Sequence, residues 1–90
     1  MAIVVKFNVS GMSAEMYESA LRQLDAAGGA APHGRLHHIT YGSPENLEVI
    51  DVYDSPESFE KFGRTLGPIL AEFGIQAKPD VYKVYKIIDA

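Results

Sequence analysis

Residues 3–9 alternate between apolar and polar positions and are rich in β-branched side chains. Ile3, Val5, Phe7 and Val9 share one face, with Val4, Lys6 and Asn8 on the other; this predicts a first strand. Ser10-Gly11-Met12 then turns the chain towards Ser13, a good N-cap with Glu15 behind it, where a negative charge suits the start of a helix. Tyr17, Ala20, Leu21 and Leu24 follow at the spacing of an amphipathic helix, which Gly28-Gly29 ends.

A Gly, Ala and Pro-rich loop to Gly34 leads into two β-rich runs, Arg35 to Tyr41 and Leu47 to Tyr53, joined by a turn over Gly42 to Asn46. This pattern predicts a hairpin. Ser55-Pro56-Glu57 is a helix start, and Phe59, Phe62, Leu66, Ile69, Leu70 and Phe73 trace its apolar stripe up to Gly74. Pro68 lies inside that stripe, so a kink or break is expected near Leu66-Gly67. Val81 to Ile88 alternates again and predicts a last strand.

The order β-α-β-β-α-β predicts one ferredoxin-like α+β domain over residues 1–90, a four-stranded antiparallel sheet with two helices on one face. Several strands are nevertheless apolar on both faces: Val4 as well as Val5, Val49 as well as Ile50, Val84 and Ile88 as well as Tyr85 and Ile87. Two helices cover only one face, and the simplest cover for the other is the sheet of a second copy. A homodimer through the sheet face is therefore expected, sedimenting as a dimer at micromolar concentration.

Composition narrows the function classes. Ninety residues, 47% of them hydrophobic and 22% charged, make an ordinary globular chain. With no cysteine, thiolate metal sites, disulfides and cysteine nucleophiles are excluded, and a reducing compartment suits the chain. Neither a secretory signal nor an apolar run of membrane-spanning length is visible, so a cytoplasmic location is expected. The net charge is −4 and the eight basic residues are scattered, which argues against nucleic acid as a partner.

Three histidines are the natural candidates for chemistry. His37 and His38 are neighbours on a predicted strand and point to opposite faces, so they do not form a metal pair; His33 has no helical partner, and no metal is expected. If the hairpin closes so that facing positions sum to about 89, His38 lies opposite Asp51, Thr40 opposite Val49 and Ile39 beside Ile50, in keeping with an apolar face towards the helices. A carboxylate beside an imidazole fixes its tautomer and favours its protonated form, as a general base or acid requires. The same pair also serves as a buried polar contact that stabilises the hairpin or the dimer, and the sequence leaves both roles open. An enclosed cavity of a few hundred Å³ touching His38 would favour chemistry. No GxSxG, Walker A, GxGxxG or HExxH sequence occurs.

The chain resembles the dimeric α/β barrel superfamily. The likeness rests on Phe7-Asn-Val-Ser-Gly11 before a helix with Tyr17, Gly34-Arg-Leu-His-His38, Val49-Ile-Asp-Val-Tyr53 followed by Asp54-Ser55, and Phe59-Glu-Lys-Phe62 with Pro68-Ile-Leu70. That superfamily includes cofactor-independent monooxygenases of antibiotic biosynthesis, haem-degrading monooxygenases, muconolactone-type isomerases and stress-responsive proteins. The resemblance implies a pocket between sheet and helices and a small hydrophobic ligand, aromatic or polyketide-like, handled without a cofactor. Asn8 is similar in place to an asparagine of the haem-degrading branch. The chain departs from that branch in having no Trp and in carrying its adjacent histidines on a strand. On this reading His38 and Asp51 are the catalytic candidates, and Asn8, Tyr17, Tyr53 and Phe62 surround the ligand. The rival expectation is a non-catalytic structural or stress-related homodimer, with Phe59 and Phe62 as plain core and the tyrosines as core or interface residues.

Overall fold

The first alternating run forms strand β1 over Ile3–Phe7, in which Ile3, Val5 and Phe7 are buried and Val4 and Lys6 half-buried. The structure is a computed structural model that describes residues 1–76 and 78–89. β1 stops two residues short of the expected Val9, because its ladder ends at the pair Phe7 and Val49 and the chain then turns at Gly11 with φ +70°. Val9 still packs against the core.

Helix α1 covers Ala14–Ala26. The Ser13 hydroxyl accepts from the Met16 N–H at 3.1 Å, satisfying one of the free donors of the first turn, and Gly28, at φ +76°, follows the helix end. Strands β2 (Arg35–Ser43) and β3 (Asn46–Tyr53) form the hairpin. Its turn is tighter than the expected Gly42 to Asn46 loop, since Gly42 pairs with Leu47 and Ser43 with Asn46.

Helix α2 runs over Pro56–Glu72, capped by the Ser55 hydroxyl, which accepts from the Ser58 N–H at 3.2 Å. The expected break at Leu66-Gly67 does not form. Pro68 lies on the exposed side of the helix, as does Arg64, whose carbonyl loses its partner where water can replace it. Strand β4 covers Asp80–Lys83 only. The alternation predicts a strand to Ile88, but its partner β1 begins at Ile3, opposite Lys83, and after the Val84 N–H bonds to the Ala2 carbonyl no strand among the described residues is left to pair with.

The four strands form one antiparallel sheet in the order β2-β3-β1-β4. Both helices pack on the face carrying Ile3, Val5, Phe7, Val49 and Tyr53, and Leu24, Phe62 and Ile69 close the core from the helix side. Strand alternation puts Val4, Ile39, Ile50, Val52 and Tyr82 on the opposite face, where Ile39 is 53% and Tyr82 56% exposed. The Ile39 and Ile50 pair thus corrects the expectation of an apolar face towards the helices. The expected register holds, and it turns His38 and Asp51 inward and the two isoleucines outward.

Candidate active site

His38 and Asp51 meet because β2 and β3 place them directly opposite on the helix-covered face. Nδ1 of His38 lies 2.5 Å from Oδ1 of Asp51, and the Tyr53 hydroxyl donates to Oδ2 at 2.8 Å. Asp51 is 1% exposed and Tyr53 fully buried, so the carboxylate is removed from water and each of its oxygens holds one protein donor.

The directions of these bonds follow from which groups can donate. A carboxylate only accepts, so Nδ1 of His38 carries a proton, and in the Nδ1–H tautomer Nε2 is the acceptor. The Tyr17 hydroxyl lies 2.7 Å from Nε2 and donates to it; Thr40 Oγ1 donates to the Tyr17 oxygen at 2.7 Å. Thr40, Tyr17, His38 and Asp51 therefore form one chain of donors running towards the buried carboxylate. Among the described residues, no buried side-chain nitrogen or oxygen lacks a hydrogen-bond partner.

Burial pushes the Tyr53 phenol well above its usual range, and the Asp51 charge and hydrogen bond push the same way, with the Arg35 guanidinium acting against them. Tyr53 is thereby held as a neutral donor. Asp54, at the exposed end of β3, is lowered instead, chiefly by the Ser58 hydroxyl that donates to it at 2.6 Å.

Between the sheet and the two helices lies a cavity of about 70 Å³, partly open to solvent. Phe7, Met12, Leu24, Phe62 and Leu66 supply apolar wall, and Tyr17, Arg35, His38 and Asp51 bring the polar groups. The cavity touches His38 but is smaller than the few hundred Å³ that would favour chemistry, with room for no more than a few water molecules. The helices fill the remaining space, Phe59 and Phe62 among them, packing around Tyr53 with ring centroids 5.3 and 6.2 Å away.

The structure brings His38, Asp51, Tyr17 and Phe62 to this cavity, with Tyr53 behind Asp51. Asn8 is elsewhere. It follows the last residue of β1, on the opposite side from Phe7, and its exposed amide donates to the Lys78 carbonyl and the Asp80 carboxylate, each at 2.9 Å, tying down the approach to β4. Tyr41, Tyr82 and Tyr85 are exposed and outside the cavity. Two residues absent from the expected set belong to the site, Thr40 and Arg35. Thr40 shares the face of His38 two positions along the strand, a signal available in the sequence. Arg35 reaches the same face only through a β-bulge. Among the described residues, no three His, Asp or Glu side chains gather as a metal site requires, and no helix is long and apolar enough to cross a membrane.

No family model matches the sequence, and no curated protein matches it. Solved structures do. Rv0793 from Mycobacterium tuberculosis has a TM-score of 0.69 at 14% identity, covering 99% of this chain and 100% of that one. A Chloroflexus aurantiacus protein assigned to the antibiotic biosynthesis monooxygenases has a TM-score of 0.65 at 15% identity, covering 99% and 98%. A variant of SnoaB, a cofactor-independent oxygenase from Streptomyces nogalater, has a TM-score of 0.63 at 20% identity, covering 99% and 96%. At such identities the likeness is one of fold. Along almost its whole length, the chain has the ferredoxin-like α+β fold that these solved structures share, an antibiotic biosynthesis monooxygenase-like protein among them.

Proposed function

We propose that this chain is a cytoplasmic, small-molecule-binding homodimer that removes a proton from an activated C–H group of an aromatic or polyketide-like compound without a cofactor, as a monooxygenase or isomerase. The observation that carries this reading is the directed chain from Thr40 through Tyr17 and His38 to Asp51, with Tyr17 and His38 on the cavity wall. Tyr17 takes the substrate proton as it passes its own to Nε2 of His38, and the imidazolium so formed is held against Asp51. The carbanion either regains a proton at another carbon, an isomerisation, or adds to dioxygen. In the second case the peroxide loses water, so that a CH2 group and O2 give a carbonyl and H2O. SnoaB, described as a cofactor-independent oxygenase, supports the oxygen branch by likeness of fold.

The homodimer is supported by the open sheet face and by the segment beyond β4, where Tyr85 is 99% and Ile88 81% exposed. Apolar surface on this scale suits an interface.

The test is deuterium exchange at the α-carbon of α-tetralone, followed by proton NMR. Wild type should accelerate exchange, and His38→Gln should lose about 10² to 10⁴-fold of that acceleration, the usual contribution of a positioned base. A second reading, the non-catalytic structural or stress-related homodimer, is favoured by the small cavity and by a polar network that is complete without a ligand. Exchange that is equal with and without protein would establish it over the first.

A further inference from the structure

Arg35 and His38 are three positions apart on β2, so in an undisturbed strand they would point to opposite faces. They do not, because the ladder shifts between Arg35 and His37. His38 faces Asp51 and His37 faces Val52, yet Arg35, not Leu36, faces Tyr53. Leu36 is the extra residue of the bulge and is half exposed, while Arg35 is brought to the helix-covered side and lines the cavity beside His38 and Asp51. Such a bulge re-aims a side chain at the cost of one irregular pair.

Arg35 is half-buried and its guanidinium bond to Ala30 is on the exposed side, so it stands at the open rim of an apolar cavity, where a cation suits a negative partner. Asp51 is not that partner: it lies more than 4 Å from the guanidinium by the ion pairs formed among the described residues, and its oxygens are held by His38 and Tyr53. Of its five N–H donors, Arg35 commits one among the described residues, from Nη2 to the Ala30 carbonyl at 3.1 Å. The remaining fork is free to hold an anion in two-point fashion.

The preceding residue shows the same placement from another side. Gly34 has φ +84°, its carbonyl accepts from the Asp54 N–H at 2.8 Å, and a Cβ there would run into Ser58 Oγ and stand 2.5 Å from Asp54 Oδ1. The start of β2 is thus pinned against the start of α2, and the direction in which Arg35 leaves the backbone is fixed.

We infer that Arg35 is the ligand-anchoring cation of this cavity, and that the compound it takes carries an anionic oxygen, a carboxylate or an enolate, on an apolar ring. This deepens the proposed function and rests on its reading of the cavity as a ligand site. In the proton-transfer step the guanidinium would hold the oxygen on which the charge of the deprotonated substrate collects. A ligand larger than the free volume protrudes through the open side.

Calorimetric titration of the wild type with benzoate, with 1,3-cyclohexanedione (an enolate at neutral pH) and with neutral benzamide tests the inference. At least one anion should bind about tenfold or more tightly than benzamide, and which one does tells carboxylate from enolate. Arg35→Gln should level the three, while Arg35→Lys, which keeps the charge and loses the fork, should retain a reduced preference. Should Arg35→Gln fail to fold, a several-fold drop in Arg35→Lys carries the test. Equal binding of benzoate, the dione and benzamide to wild type, no binding of any of them, or an anion preference unchanged in both variants overturns the inference. Anion binding that depends on Arg35 without exchange of α-tetralone hydrogens would remove His38 as a base and leave Arg35 as the anchor.

Discussion

Nδ1 of His38 lies 2.5 Å from Oδ1 of Asp51, and this one contact sets the direction of the bonds that run from Thr40 through Tyr17 to the imidazole. Because Asp51 only accepts, the imidazole proton is on Nδ1 and the lone pair of Nε2 faces Tyr17. Asp51→Asn should reverse that order. The amide NH2 favours an accepting Nδ1, which moves the ring proton to Nε2. Nitrogen NMR of the imidazole should show the switched tautomer, and α-tetralone exchange should be lost while the fold persists. Asp51→Ala instead strands two donors and should cost about 2–6 kcal/mol in urea unfolding.

Tyr53 predicts the alkaline behaviour. Its phenol is raised in the folded chain by burial and by Asp51, whereas in the unfolded chain it ionises near 10. Below that pH both states keep the proton and the stabilising donor bond is fully present. Above it the unfolded chain alone releases a proton, so stability should fall by about 1.4 kcal/mol per pH unit. Urea midpoints between pH 9 and 11.5 should show this slope in wild type and a shallower one in Tyr53→Phe. The variant should also be less stable at pH 7 by about 1–3 kcal/mol, because Oδ2 of Asp51 loses its donor.

At Gly34 a methyl group has no room and the backbone is left-handed. Gly34→Ala should destabilise by about 2–3 kcal/mol, of which roughly 1–2 kcal/mol is the cost of the left-handed conformation. Thermal unfolding measures the total. The same variant should weaken anion binding, since the displaced backbone carries Arg35.

Ile39 sits exposed on the open sheet face, opposite the half-buried Ile50. Sedimentation velocity of wild type at micromolar concentration should give a dimer, and Ile39→Asp a monomer with unchanged secondary structure. A wild-type monomer would count against pairing through this face.

Much of the fold is legible in the sequence because each signal is local and the signals agree. Ser13 and Ser55 mark helix starts through their own hydroxyls, and period-two alternation marks the strands. The hairpin register also follows, and with it the meeting of His38 and Asp51. What escapes depends on partners distant in sequence. The length of β4 is set by where β1 begins, and the continuity of α2 at Pro68 by which side of the helix meets water. Asn8 reads as a site residue only through the family resemblance, since alternation already sets it on the face opposite Phe7, where it ties down the approach to β4. Arg35 is invisible because strict alternation turns it away from the cavity that it lines.

Beyond Lys83 the chain continues through Val84, Tyr85, Ile87 and Ile88 with strand-like alternation and, among the described residues, no strand beside it. An unfinished ribbon of this kind is a template for any chain that offers a matching edge. In the proposed homodimer folding and self-association would be one equilibrium, so the melting temperature should climb with protein concentration. At high dilution such a pair would come apart and leave the ribbon, with Tyr85 and Ile88 exposed, open to proteases.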